Sequence, residues 1–240
     1  MSVVSTECWY CGERGPVIAR VGDVRVVPHP TPAFGLEGDA RPREVGGAVQ
    51  RDALGAHELV YSGHDDADAP LLRMVASRMT DLRRDPRLRG FGAVRRHEPG
   101  RHAVWQLFAL PFDVPGSAPA AWRDREAAAG IRLVAATEGT VTLLAWAPRV
   151  PFETWVLPRA GRAGFGVDDP APVAEAAARA REVLGRLLRG APVDMVLADG
   201  EPWRIELVPR LAPPSGAQVA TELPLHGTFP EAAAAFWRDA

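Results

Sequence analysis

The chain has 240 residues, 47% hydrophobic and 24% charged, the composition of an ordinary globular protein with room for a sizeable core. A formal net charge of −2 argues against nucleic acid or an anionic membrane as the main partner. Every basic residue is Arg, which excludes a Lys nucleophile, a Schiff base and a phosphate-loop Lys. The start, Met1 to Cys8, has neither a basic opening nor a long apolar run, so no signal peptide is expected. No stretch reaches the ~20 apolar residues that cross a bilayer, and a cytoplasmic location is expected.

In chain order, both cysteines come first, as Cys8-Trp-Tyr-Cys11. Cysteines this close suggest a metal knuckle or a redox pair. Gly12, Gly15 and Pro16 follow and favour a turn. A C-x-x-C supplies only half of a tetrahedral zinc site. Val17 to Arg20 and Val24 to Val27 predict a hairpin around Gly22-Asp23. Pro28-His29-Pro30-Thr31-Pro32 is a stiff extended exit. Gly35 to about Leu54, rich in Gly, Arg and acids, reads as a surface loop. His57 to Ser62 is a strand running into the polar turn Gly63-His64-Asp65-Asp66. Leu71 to Arg84 is a helix with Leu71, Leu72, Val75, Met79 and Leu82 on one face. Phe91 to Arg95 is a strand, followed by a basic turn.

His102 to Pro111 is an apolar strand that carries one imidazole and one amide, Gln106. Even spacing in an extended strand points His102, Val104 and Gln106 to one face. Pro115 to Pro119 is a linker, after which the pattern recurs. Ala121 to Ala129 is helical. Ile131 to Ala136, Thr140 to Trp146 and Phe152 to Leu157 are strands. Val173 to Leu188 is a long amphipathic helix. Val193 to Ala198 and Trp203 to Val208 form a hairpin around Asp199-Gly200, and Glu231 to Arg238 is a short helix. Each half reads as strands, one long helix, then strands. This predicts an α+β fold of two duplicated antiparallel units, residues 1–114 and 115–240.

Taken in order, these segments resemble the galactose-1-phosphate uridylyltransferase family, the transferase branch of the histidine-triad superfamily. Cys8 and Cys11 look like its N-terminal zinc knuckle. Val24 to Phe34 resembles its strand ending in Pro-Asn-Arg-Tyr-Pro-Ala-Phe. Gly55-Ala56-His57-Glu58-Leu59-Val60 and Ser62-Gly63-His64-Asp65 resemble Gly-x-His-Glu-Val and Ser-Pro-Asp-His. His102-Ala-Val-Trp-Gln106 stands where the signature His-Pro-His-x-Gln belongs. Pro151-Phe152-Glu153 and Trp203 to Arg210 are similar to segments of the family's second half.

The resemblance implies duplicated histidine-triad-like units and one structural Zn²⁺ held by Cys8, Cys11, His64 and His102. It also implies a phosphate-containing small-molecule ligand, with Gln106, His29, Arg95 and Arg101 as contacts, and it allows a homodimer. The departures lie in the chemistry. The family's second signature His attacks the α-phosphorus of a nucleotide sugar, and here that position is Val104, which has no lone pair. Ala103 replaces the intervening Pro, Glu98-Pro99-Gly100-Arg101 replaces a small polar phosphate loop, and His29 replaces a base-contacting Asn. The second half's metal-binding histidines are absent, leaving only His226 there.

Three readings follow. The chain is an altered homologue that keeps the zinc and a pocket for a nucleotide, nucleotide sugar or sugar phosphate. Alternatively, it is an active nucleotidyltransferase, hydrolase or lyase in which His97, His29 or Glu98 transfers the proton. In the third, it is a structural protein that binds a partner. Saturation by a nucleotide sugar separates the first two from the third, and turnover separates the second from the first.

Overall fold

The computed structural model describes residues 16–39, 41–50, 52–62, 67–96, 102–114, 120–160, 164–213, 215–225 and 227–239. Cys8, Cys11, His64, His97, Glu98, Arg101 and His226 lie outside the described residues. The chain divides into two compact units, Met1–Ala93 with Glu98–Val114, and Val94–His97 with Pro115–Ala240.

The first unit contains β1 (Ala19–Val21), β2 (Val24–Pro28), β3 (Arg43–Val45), β4 (Ala48–Gln50) and β5 (Ala56–Ser62). Helix α1 (Asp68–Leu82) follows, then β6 (Gly90–Arg95), whose last two residues fall in the second unit, and β7 (Val104–Leu110). Its sheet runs β1-β2-β5-β7-β6. The β1–β2, β2–β5 and β5–β7 ladders are all antiparallel. Strands β3 and β4 form a separate exposed hairpin through Gly46 and Gly47, both at positive φ. This corrects the reading of that stretch as a loop. The two glycines supply the left-handed backbone of the turn, while the strands bury nothing and so show no apolar alternation.

Helix α1 begins three residues before the predicted Leu71. Its stripe of Leu71, Leu72, Val75 and Met79 is fully buried against the sheet. Cutting any one of these Leu or Met side chains to Ala would cost about 2–5 kcal/mol. Two polar links fix the helix on that face. The Trp105 indole donates to the buried Asp68 carboxylate at 3.0 Å. Arg78 forks onto Glu58 at 2.7 and 3.0 Å. Strand β7 alternates as its sequence requires, with Trp105, Leu107 and Ala109 buried and Val104, Gln106 and Phe108 half-buried. His102 precedes the strand and is not part of its ladder. Gly55, just before β5, meets the Ala109 carbonyl so closely that a Cβ there would lie 2.4 Å from the oxygen.

The second unit contains α2 (Ala120–Ala129), β8 (Leu133–Ala136), β9 (Thr140–Leu144), β10 (Thr154–Pro158) and α3 (Ala171–Leu187). Strands β11 (Val193–Ala198) and β12 (Arg204–Pro209) and helices α4 (Gly216–Thr221) and α5 (Pro230–Arg238) complete it. Its sheet runs β8-β9-β10-β12-β11, with every ladder antiparallel. Helix α3 buries Val173, Ala174, Ala177, Ala180 and Leu184 at helical spacing. Helix α4 was not expected. It buries nothing and is held by a reciprocal capping box between Ser215 and Gln218.

Leaving aside the separate β3–β4 hairpin, three strands precede the long helix in each unit and two follow it. In both sheets the fifth strand lies between the third and the fourth. The fold is therefore α+β, built on antiparallel sheets with the same strand order repeated. Among the described residues no helix is long and apolar enough to cross a membrane.

Candidate functional site

Helix α1 covers one face of the first sheet, the face of Glu58, Val60, Trp105 and Leu107. Alternation sends His57, Leu59 and Tyr61 of β5 to the other face, together with Val104, Gln106 and Phe108 of β7. Across the ladder Leu59 pairs with Gln106, Tyr61 with Val104 and His57 with Phe108. Val27, Leu59 and Tyr61 form a small buried floor there, with Val104 packed on it. Gln106 is therefore the diagonal neighbour of His57, a separation that long side chains span.

His29 reaches the same place from the end of β2, its amide donating to the His57 carbonyl at 2.9 Å. The two imidazoles stack with centroids 4.0 Å apart and planes 12° apart. Phe34 tilts against His57 at 6.3 Å. The Ala33 amide donates to Nδ1 of His57 at 3.2 Å. Nδ1 of His29 lies 2.9 Å from the Thr31 carbonyl and 3.2 Å from the Thr31 amide. The segment from Thr31 to Ala33 thus returns its backbone to both rings. Burial, and next the neighbouring His29 imidazole, hold His57 below the ordinary histidine pKa, while a hydrogen bond with Gln106 acts the other way.

His29, Val104 and Gln106 thus share one half-exposed sheet face. His57, named in sequence only as part of a motif, is the residue that links His29 to Gln106. The available signal was its even spacing from Leu59 and Tyr61 on a strand whose neighbours were unknown. His102 is half-buried two residues before Val104. Arg95 ends β6, buried, and belongs to the second unit with the exposed Arg96, which lies 4.0 Å from Asp194. Of the expected zinc set, His102 is among the described residues, and Cys8, Cys11 and His64 lie outside them. Among the described residues no group of three or more His, Cys, Asp or Glu is placed to hold a metal.

The corresponding face of the second unit is finished differently. Trp155 of β10 pairs with Glu206 of β12. Arg204 lies over the Trp155 ring at 4.3 Å and bonds Glu206 at 2.6 Å. Arg149 bridges Glu153 at 2.7 Å and Glu206 at 2.5 Å. The Trp155 indole donates to Glu153 at 3.0 Å. Beside this network α2 packs Trp122 and Ala127 onto Val141, Leu143 and Leu157.

No protein-family model matches the chain, and no curated protein sequence matches it. Solved structures do. A GalT-like protein of Arabidopsis thaliana superimposes with a TM-score of 0.78 at 18% identity, over 97% of this chain and 91% of that one. An ADP-glucose phosphorylase of Arabidopsis thaliana, with ADP-glucose bound, gives 0.78 at 18% identity over 97% and 90%. A uridylyltransferase mutant gives 0.76 at 20% identity over 98% and 93%. The chain therefore has the fold of GalT-like proteins and uridylyltransferases.

Proposed function

We propose that this chain binds a phosphate-containing small molecule, of the nucleotide, nucleotide-sugar or sugar-phosphate class, with the uridylyl-transfer chemistry of its fold altered or lost. The observation that carries the reading is the half-exposed face of the first sheet, on which Gln106 stands beside Val104 and next to the stacked His57 and His29. The shared fold, and the ADP-glucose held by one protein of that fold, support the ligand class. Gln106 and His29 are the proposed contacts on this face, with Arg101 of the same unit as a further phosphate contact. Val104 offers no lone pair, so a covalent nucleotidyl intermediate has nothing to form on at this point of the strand.

Cys8, Cys11, His64 and His102 belong to the same proposal as the holders of one Zn²⁺. Two thiolates and two imidazoles suit a closed tetrahedral site. Bound there, the ion would cross-link the N-terminal knuckle, the turn after β5 and the entry to β7.

A second reading, an enzyme in which another residue transfers the proton, is favoured at His29. With its Nδ1 engaged at Thr31, the ring's Nε2 has no partner among the described residues.

The test is to titrate the protein with UDP-glucose and with ADP-glucose, following thermal stability and intact mass. The expected result is a rise in melting temperature with ligand concentration and no added nucleotidyl group. A covalent adduct on any histidine would overturn the altered-chemistry reading. No stabilisation by any nucleotide, nucleotide sugar or sugar phosphate would overturn the ligand reading.

A further inference from the structure

We infer that the second unit carries a binding site for a small monocarboxylate with a compact apolar body, in a cavity on the α3 side of its sheet. The face proposed above for a phosphate-containing ligand belongs to the first unit, and that reading makes no use of this cavity.

Small side chains leave the space. On β9, Val141 and Leu143 join the core under α2, and alternation turns Thr140 and Thr142 to the face under α3. Ala135 pairs with Thr142 across the β8–β9 ladder. Above them α3 presents Ala176 and Ala180, one turn apart and both buried. Methyl groups at these three positions do not fill the gap between helix and sheet, and a cavity of about 150 Å³ remains, walled also by the Trp237 indole of α5. A cavity of that order holds a benzene-sized molecule in an engineered protein core.

The polar groups lining the cavity have donors to spare. Thr142 is 3% exposed, and its hydroxyl bonds no other described residue. Thr137 and Thr140 bond each other at 2.8 Å, and the Thr140 amide donates to the Thr137 hydroxyl at 3.0 Å. Two hydroxyls that share one bond use one of their two protons, so one O–H remains. Arg179 lies on the same stripe of α3 as Ala176 and is mostly exposed. Its contact with Glu175 is long, 3.9 Å, between two exposed side chains, and holds the guanidinium weakly. No Asp or Glu lines the cavity among the described residues. Two O–H donors and one guanidinium are the complement of a carboxylate, which accepts through both oxygens and carries a single charge. The alanines and the indole suit a short branched or aromatic body.

The test is an NMR titration of 15N-labelled protein at constant ionic strength. The probes are benzoate and 3-methylbutanoate, with benzamide and 3-methylbutanamide as neutral molecules of the same shapes. At least one of the two acids should give saturable shifts at the amides around Thr142 and Ala180, with about tenfold higher affinity than its amide. Thr142→Val keeps the branched shape and loses the donor. It should weaken that acid about tenfold and leave the unliganded protein no less stable, because the hydroxyl has no partner to lose. Arg179→Gln, on the exposed side of α3, should weaken the acid about threefold to fivefold and spare its amide. The absence of saturable shifts, equal affinity for acid and amide, or unchanged affinity in both variants would overturn the inference. A marked fall in melting temperature for unliganded Thr142→Val would overturn it too, by showing that the hydroxyl is already engaged. No nucleotide enters the titration, so its result stands whether or not the first unit binds a nucleotide sugar.

Discussion

The two units share a strand order and the position of the long helix, yet they treat the polar groups of their central strand pair in opposite ways. Around β10 and β12 the charges of Glu206 and Arg204, and of Glu153 and Arg149 just before β10, are spent on one another, with Trp155 beneath and α2 alongside. On the face of β5 and β7 turned away from α1, His57 and Gln106 carry no carboxylate or guanidinium and stand half-buried, and His57 takes its partners from the Ala33 amide and the stacked His29 ring. A carboxylate whose partners are all within the protein has little to offer a ligand, and removing one member leaves a buried charge. A half-buried neutral amide such as Gln106 has the reverse character: it adds little to stability and keeps its polar atoms close to solvent. The two faces thus differ: one is closed by its own ion pairs, and the other, half-exposed, is the proposed receptive face.

The largest effect that would sharpen this comparison is loss of metal. If Cys8, Cys11, His64 and His102 hold zinc, elemental analysis of protein purified without added metal gives about one zinc per chain. Apparent binding energies of such sites reach about 10–16 kcal/mol in small zinc-dependent peptides. Chelation or Cys8→Ser should therefore lower the melting temperature sharply, with loss of structure starting in the first unit. Absence of zinc, or a Cys8–Cys11 disulfide under reducing conditions, would remove that asymmetry.

Next in size is Glu206→Ala, which strands the Arg204 guanidinium, 5% exposed, with its main carboxylate gone. A loss of about 3–5 kcal/mol is expected in urea unfolding. Gln106→Ala on the receptive face should cost under about 1 kcal/mol. Equal costs for the two would break the comparison.

A smaller effect concerns pH. The folded pKa of His57 is lowered, so the folded chain prefers the neutral ring and the unfolded chain takes up the proton first. Stability from this group is complete above the ordinary histidine pKa of about 6.5 and is lost as pH falls from there through the lowered folded value. Urea midpoints measured between about pH 7.5 and 5 should fall for the wild type, and the fall should be shallower in His57→Gln. Identical slopes would show that the ring feels no burial.

The smallest expected change is at Val104. Val104→His alone should give no nucleotidyl adduct by intact mass after mixing with UDP-glucose, because Ala103 and the segment from Glu98 to Arg101 also depart from the pattern. A stable adduct would mean that one imidazole suffices to convert the receptive face into a reactive one.

Local pattern carried much of this molecule. Helical spacing announced α1 and α3, and turn residues announced the hairpins at Gly22-Asp23 and Asp199-Gly200. Alternation put Val104 and Gln106 on one face. The exposed β3–β4 hairpin and α4 escaped notice because neither buries an apolar side, so neither leaves a periodic signal. The charged network of the second unit was equally hidden. Arg204 and Glu206 alternate on β12 as solvent-facing residues would, and only the approach of Arg149 and Glu153 makes their burial tolerable.

What the sequence determined by itself is therefore the set of elements, their faces, and the side chains each face carries, Val104 and Gln106 among them. All of these depend on residues near one another in the chain. The tertiary structure alone decided that β5 lies between β2 and β7, and hence that His57 meets His29 on one side and Gln106 on the other. Strand order is set by non-local pairing, and a period of two says which way a side chain points but not what it meets. The groups that this face can offer a ligand depend on that meeting.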